Sequence, residues 1–248
     1  MSCDLIPTPT AGAAIPAPAA SEDFSREEIE ANHRRLLERN ALHRRFGYDS
    51  QASVDFVIGK ALPLRGRVLD LGTGKGRFVI ALARKVPRVT TLDLSAEEQR
   101  HARLEAAYAG VAGRVQFVVG DAAALPWPAA SFDAVVSMNA FHHVADVSLV
   151  FAEMLRVLKP GGKLVLADFS HSGFRVMDAI HRSEGRRHPH PPSPFRHWRE
   201  CLRARGFRVH YFAGHHEEVL VARHGARPPK GPSGPSHWNN QSTAKSSL

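Results

Sequence analysis

Four short stretches carry residue types that could do chemistry together. The first is Asp70-Leu71-Gly72-Thr73-Gly74-Lys75-Gly76. Glycines let a backbone turn sharply and approach a ligand closely. A helix that follows such a turn offers free N–H groups and a partial positive charge. The second is Asp93, 17 residues after Gly76, whose carboxylate can accept both hydroxyls of a ribose. The third is Gly120-Asp121-Ala122, where a side chain can reach an adenine amino group. Each of these alone also suits a plain turn or helix start. The fourth is Asn139-Ala140-Phe141-His142-His143. A histidine near its ordinary pKa suits proton abstraction at neutral pH, and the same pair could instead pack or cap.

These residues mean something only if the elements around them bring them to one place. Apolar runs at residues 67–71, 89–94, 115–119, 134–138 and 163–169 read as five strands. They are short and continuous, as strands covered on both faces should be. Helices are expected between them. One follows Gly76, one opens on the Ser95 and Glu98 capping box and runs to about Ala109, and one is capped by Asp146. The last carries the stripe Val147, Phe151, Met154, Leu155 and Leu158 and ends at Lys159-Pro160-Gly161-Gly162. Upstream, Ser25 with Glu28 forms another capping box and Phe24 with Ile29 a staple, starting a helix that stops at Gly47. A second helix is expected over residues 51–61. Downstream, Pro194 suits the first turn of a helix running to Arg205, and two last strands are expected at 207–212 and 218–222. Their short connection predicts an antiparallel pair. This alternation predicts an α/β fold with a doubly wound, mostly parallel sheet. Ligands bind such sheets at the carboxyl ends of the strands, where all four stretches fall.

Val68-Leu69-Asp70-Leu71-Gly72-Thr73-Gly74-Lys75-Gly76 resembles motif I of the class I S-adenosylmethionine (SAM) dependent methyltransferases. Ser131-Phe132-Asp133-Ala134-Val135-Val136 and Leu155-Arg156-Val157-Leu158-Lys159-Pro160-Gly161-Gly162 resemble the segments around that family's fourth and fifth strands. The resemblance is to the broad group that includes quinone-biosynthesis C-methyltransferases and many small-molecule methyltransferases, and it covers about residues 48–169. It implies a Rossmann-like sheet of seven strands with an antiparallel last strand, and SAM as cofactor. It implies Asp93 as the ribose acid, Asp121 as the adenine-site acid and Asp70 close to the methionine part. Gly72, Thr73, Gly74, Gly76, Leu94, Ala122 and Asn139 are the further expected cofactor contacts. The glycine spacing departs from the Gly-x-Gly-x-x-Gly of dinucleotide sites, which argues against NAD. The fourth stretch lacks the Pro-Pro-aromatic of amino-methylating nucleic-acid enzymes. No cysteine stands where a cytosine C5 methyltransferase needs one, and the paired-glutamate loop of protein arginine methyltransferases is missing. The cysteine set expected of an arsenite methyltransferase is missing too. A small organic methyl acceptor is therefore expected, with His142 or His143 as base or acceptor-binding residue.

The 248 residues suit one large domain. Residues 1–22 are rich in Ala and Pro, and 225–248 in Pro, Gly and Ser; both are expected to be disordered tails. That leaves a methyltransferase domain over 23–224, with a helical cap at 23–61 and an insertion at 170–195 covering the acceptor. Tyr48, His143, His171 and His181 are the expected pocket residues. There is no basic n-region before Ser25 and no apolar run near the ~20 residues of a membrane span, so a cytoplasmic protein is expected. The net charge is +9, and residues 175–208 hold nine Arg against three acids. That stretch could be a solvated face, attract an anionic acceptor or bind RNA. With no RNA-binding module and little aromatic interleaving, nucleic acid is disfavoured. A SAM-binding sensor or partner subunit without catalysis is the other alternative. His181, Glu184, His188, His190 and the run His215-His216-Glu217-Glu218 are metal-ligand types without a familiar spacing, so no metal is expected.

Overall fold

Strand side chains alternate between two cores, one on each face of a single sheet. In the computed structural model, which describes residues 23–187 and 195–224, the chain begins with helices α1 (Arg26–Arg45) and α2 (Ser50–Ala61). There follow β1 (Val68–Leu71), α3 (Arg77–Ala83), β2 (Val89–Asp93), α4 (Ala96–Tyr108), β3 (Val115–Val119), β4 (Phe132–Met138), α5 (Val147–Val157) and β5 (Leu158–Phe169). The described chain closes with α6 (His171–Ser183), α7 (Phe195–Ala204), β6 (Phe207–Gly214) and β7 (Glu217–His224). The strand order is β3-β2-β1-β4-β5-β7-β6. β1 to β5 pair in parallel, and β7 runs antiparallel to both β5 and β6. This is the Rossmann-like, doubly wound sheet of seven strands with an antiparallel last strand.

Period-two alternation explains the two cores. Val68 of β1, Val165 of β5 and Val219 of β7 point to the face covered by α2, α3 and α4. Leu69, Leu164 and Leu220, their chain neighbours, point to the face covered by α5 and α7. A third cluster sits at the carboxyl edge of the sheet, where Tyr48 and Phe169 meet Phe174, Met177 and Ile180 of α6.

The reversed direction of β7 has one consequence for the site. Its first residue, Glu217, pairs with Phe169, the last residue of β5. The start of β7 therefore lies at the same sheet edge as the ends of β1, β2 and β4.

Two elements differ from the sequence reading. β5 begins at Leu158, not at Lys163, because Leu158 already pairs with Phe132 and a register shift between Phe132 and Ala134 absorbs the Pro-Gly-Gly residues. Residues 171–183 form α6, where no helix was expected. Ser170 caps it by accepting the Gly173 N–H, and Phe174, Met177 and Ile180 give it a buried face at helical spacing. The expected tails 1–22 and 225–248, together with His188, His190 and Pro194, lie outside the described residues. Among the described residues, no helix is long and apolar enough to cross a membrane.

Candidate active site

The glycine loop, Asp93, Gly120-Asp121-Ala122 and the segment after β4 come together around one cavity of about 680 Å³. Gly72 has a φ of 89° and donates its N–H to Leu92 O at 2.9 Å, so the loop turns back onto β2. A Cβ on Gly72 would lie 2.4 Å from Ala140 Cβ, so only glycine lets the two loops touch here. Asp93 is clamped by two donors. The Gly74 N–H reaches one carboxylate oxygen at 2.8 Å and the Ser95 N–H the other at 2.9 Å. Each oxygen keeps a lone pair for a further donor. Asp121 is exposed at the end of β3 and accepts the Ala123 N–H at 2.8 Å. Leu94 stands at the rim, 75% exposed despite being apolar, and Ala122 lines the wall beside it.

Asp70, Thr73 and Gly76 do not line this cavity. Asp70 is buried and lies off the cavity wall. It is on the opposite face of β1 from Leu71, which does line the wall. One of its oxygens accepts from Thr91 Oγ1 at 2.8 Å and the other has no partner, and burial pushes its pKa up to about 7. Thr73 Oγ1 is tied to Thr91 Oγ1 at 2.7 Å and faces a second cavity. Gly76 is the N-cap of α3, at φ 88°, and touches neither cavity; a Cβ there would press on Ala102 at 3.0 Å. These three shape the loop from beneath.

The second cavity, about 350 Å³, lies on the side of α1, α2 and α6. Tyr48, Met138, Phe169 and Met177 give it apolar walls, and His142 and His181 line it too. The two cavities share three wall residues: Gly72, Asn139 and His143. His142 is buried, and its Nδ1 lies 2.6 Å from Asp168 Oδ1 on β5. Asp168 also accepts the His142 backbone N–H at 3.2 Å, so one carboxylate fixes both ring and backbone. His143 is exposed, packed 4.0 Å from the His142 ring centre. Partial burial of its ring, and then the neighbouring His142, hold its pKa below the ordinary 6.5.

Asn139 is held in the left-handed region, at φ 55°, a conformation asparagine tolerates better than most residues. Its Nδ2 donates to Glu217 Oε1 at 3.1 Å. The same oxygen accepts from Tyr48 OH at 2.9 Å and from Ser53 Oγ at 3.1 Å. Glu217 is fully buried, and burial pushes its pKa up to about 8. Burial thus favours the neutral form, which can hold Tyr48 and Asn139 without burying a charge.

The sequence reading passed over Asp168 and weighed Glu217 only as a metal-ligand type. The available signal for Glu217 was strand direction, since an antiparallel last strand brings its first residue to the functional edge. His181 lines the second cavity, its pKa lowered mainly by burial. His171 does not. It is the exposed first residue of α6, whose buried face is the Phe174, Met177 and Ile180 stripe. Cations outnumber acids on this cavity wall, with Arg39, Lys75, Arg77 and Arg186 against Glu98. Among the described residues, no group of three or more His, Cys, Asp or Glu could hold a metal ion.

Residues 69–166 match the family model described as a methyltransferase domain. The chain is 41% identical over 111 residues to 27-O-demethylrifamycin SV methyltransferase of Amycolatopsis mediterranei, covering 44% of this chain and 41% of that one. It is 40% identical over 118 residues to demethylmenaquinone methyltransferase of Deinococcus radiodurans, covering 47% of this chain and 48% of that one. The chain thus spans less than half the length of these two curated relatives. Among solved structures, a putative SAM-dependent methyltransferase of Methanococcus maripaludis aligns over 85% of this chain and all of its own. That alignment has a TM-score of 0.58 at 20% identity and supports the fold. The YcgJ protein of Bacillus subtilis aligns over 65% of this chain and 70% of its own, with a TM-score of 0.53 and 27% identity.

Proposed function

We propose that this chain is a class I SAM-dependent methyltransferase that methylates a small organic acceptor bound in the cavity beside Tyr48, a reading supported by the methyltransferase-domain match over residues 69–166 and by the relatives described above. The observation that carries this reading is the shared wall. Gly72, Asn139 and His143 border both the large cavity at the strand ends and the smaller one under α1 and α6. A cofactor and an acceptor in these two spaces would meet at that wall.

The residues of the large cavity fit SAM. The lone pairs left on the clamped Asp93 carboxylate suit ribose hydroxyls, and Asp121 suits the adenine amino group. Gly72 and Gly74 leave room for close approach, and Leu94, Ala122 and Asn139 complete the contacts. Asp70 and Thr73 act by supporting the loop. When bound, SAM supplies a sulfonium methyl open to in-line displacement. The chain's own part is to align the acceptor and to exclude water, and alignment can be worth several kcal/mol, up to roughly 7–11 in ideal cases. Where the acceptor atom must lose a proton, His142 is the base. Asp168 orients its imidazole and stabilises the charge it gains. His143, at the shared wall, is the second candidate.

The helical cap at 23–61 and residues 170–187 cover the acceptor in this proposal, with Tyr48 and His181 on its walls. The excess of cations there favours an anionic acceptor over nucleic acid. A cytoplasmic location belongs to the same proposal and rests on sequence features alone. The test is calorimetric titration with SAM, followed by turnover with a panel of phenols and quinols. Saturable SAM binding with formation of S-adenosylhomocysteine is expected. Binding without turnover of any acceptor would support a sensor or partner subunit instead.

A further inference from the structure

We infer that Arg77 is an anchor for an acid group on the acceptor, carboxylate or phosphate, at the end of the acceptor cavity that faces α1. The inference rests on the methyltransferase reading and names the acceptor's class. Arg77 is the first residue of α3, just after the left-handed Gly76. Its guanidinium lies between the glycine loop and α1. It lines the acceptor cavity and also a neighbouring cavity of about 360 Å³, bounded by Arg35, Arg39 and Lys75 among others. Arg39 and Lys75 are shared by both spaces, so the boundary between them is a cluster of cations.

Arg77 differs in its partner from the arginines that make ion pairs. Arg156 pairs with Glu153, Arg100 with Glu28, and Arg39 and Arg186 both with Glu184. Arg77 donates from Nη2 to Asn40 Oδ1 at 2.9 Å, a neutral acceptor, and its buried Nε has no partner. Among the described residues, no carboxylate lies within ion-pair distance of it. Glu98 and Glu105 act on it only through space, and Glu105 is already engaged by His33 at 2.8 Å. A buried charge is normally paired, because its lost hydration must be offset. Arginine is also the side chain whose planar fork best matches a carboxylate or phosphate. An acid group from the ligand would supply what the fold leaves out.

Position then narrows the acceptor. Arg77 stands on the α1 side, while Asn139 and His143 mark the wall shared with the cofactor cavity. The cavity lining includes Tyr48, Phe78, Met138, Phe169 and Met177 together with the polar His43, Ser50, His142 and His181. The acceptor is therefore a small acid with a partly apolar body, its acid group held apart from the atom that is methylated.

The test uses the full chain saturated with S-adenosylhomocysteine and titrated with benzoate, phenyl phosphate and neutral benzamide. At least one anion is expected to bind about tenfold tighter than benzamide, and the stronger of the two identifies the acid. In Arg77→Gln this preference disappears while affinity for S-adenosylhomocysteine is unchanged. Asn40→Asp guards against misfolding of that variant. It keeps Arg77 and gives it an internal counter-ion, and it too should lose most of the preference. Equal binding of the three probes overturns the inference, and so does a preference that survives both variants. Failure of S-adenosylhomocysteine to bind would instead strike the methyltransferase reading, and the same anion titrations without it would still decide on Arg77.

Discussion

Asp93 uses its two oxygens to hold the Gly74 and Ser95 N–H groups, so it builds the loop it is proposed to serve. Two variants separate these tasks. Asp93→Ala removes both and should weaken SAM binding by about a hundredfold, at roughly 1.5–3 kcal/mol for hydrogen bonds to a charged group. Asp93→Asn keeps one acceptor oxygen and should lose about tenfold or less. Calorimetry reads both, and equal affinity in Asp93→Ala would remove this residue from the site. Asp168→Asn addresses the proposed base. It should lower kcat by about a hundredfold or more for an acceptor that loses a proton, with SAM affinity little changed. If His143 were the base, its depressed pKa would place the acid limb of the rate below pH 6.5, since a base acts only when neutral. The glycine loop and Asp93 were legible because their spacing is local to one strand-turn-helix unit. Asp168 and Glu217 were not, because their roles come from partners across the sheet. In sequence Asp168 is only a polar residue near the end of an apolar run, and Glu217 one of four polar residues in a hairpin.

At the scale of elements, α1 lends Arg39 and His43 to the wall of the second cavity, and its start was readable from Ser25 and Glu28. Both capping-box hydrogen bonds form. Ser25→Ala should cost about 1 kcal/mol of stability by thermal or urea unfolding. β7 offers a sharper test through pH. Glu217 has a folded pKa near 8 against an ordinary 4.5, and Asp70 one near 7 against 3.8. Each group is protonated in the fold at pH values where the unfolded chain has released its proton. Their contribution is thus fully present below the unfolded pKa and is lost as pH rises through the folded pKa. Between about pH 4.5 and 8, parent stability should fall by a few kcal/mol from Glu217. Glu217→Gln cannot titrate and should flatten that fall, overtaking the parent near pH 8; an unchanged slope would mean that Glu217 ionises normally. α6 escaped the sequence reading because polar and basic residues dominate it, while its buried stripe is only three large residues long. The early start of β5 escaped because Pro-Gly-Gly reads as a stop signal, whereas a register shift can carry such residues inside a strand.

At the scale of the whole molecule, the doubly wound sheet was the most legible feature, since five apolar runs and their caps all point to one topology. Net charge adds something that no single residue shows. The chain carries +9, and cations cluster on the acceptor-side wall. The two proposed substrates should feel this field with opposite sign. SAM, with its sulfonium, ammonium and carboxylate, is a net cation at neutral pH and gains nothing from a positive surface. An acid acceptor is drawn in, and salt screens that attraction as the Debye length shrinks to about 10 Å at 0.1 M. Raising ionic strength from about 20 to about 200 mM should therefore lower kcat/KM for an anionic acceptor several-fold. The SAM dissociation constant should stay constant or fall over the same range. A neutral acceptor of the same shape is the control. If its kcat/KM falls as much as that of the acid, salt is acting on the chemistry or the fold, and the positive wall does not steer the acceptor.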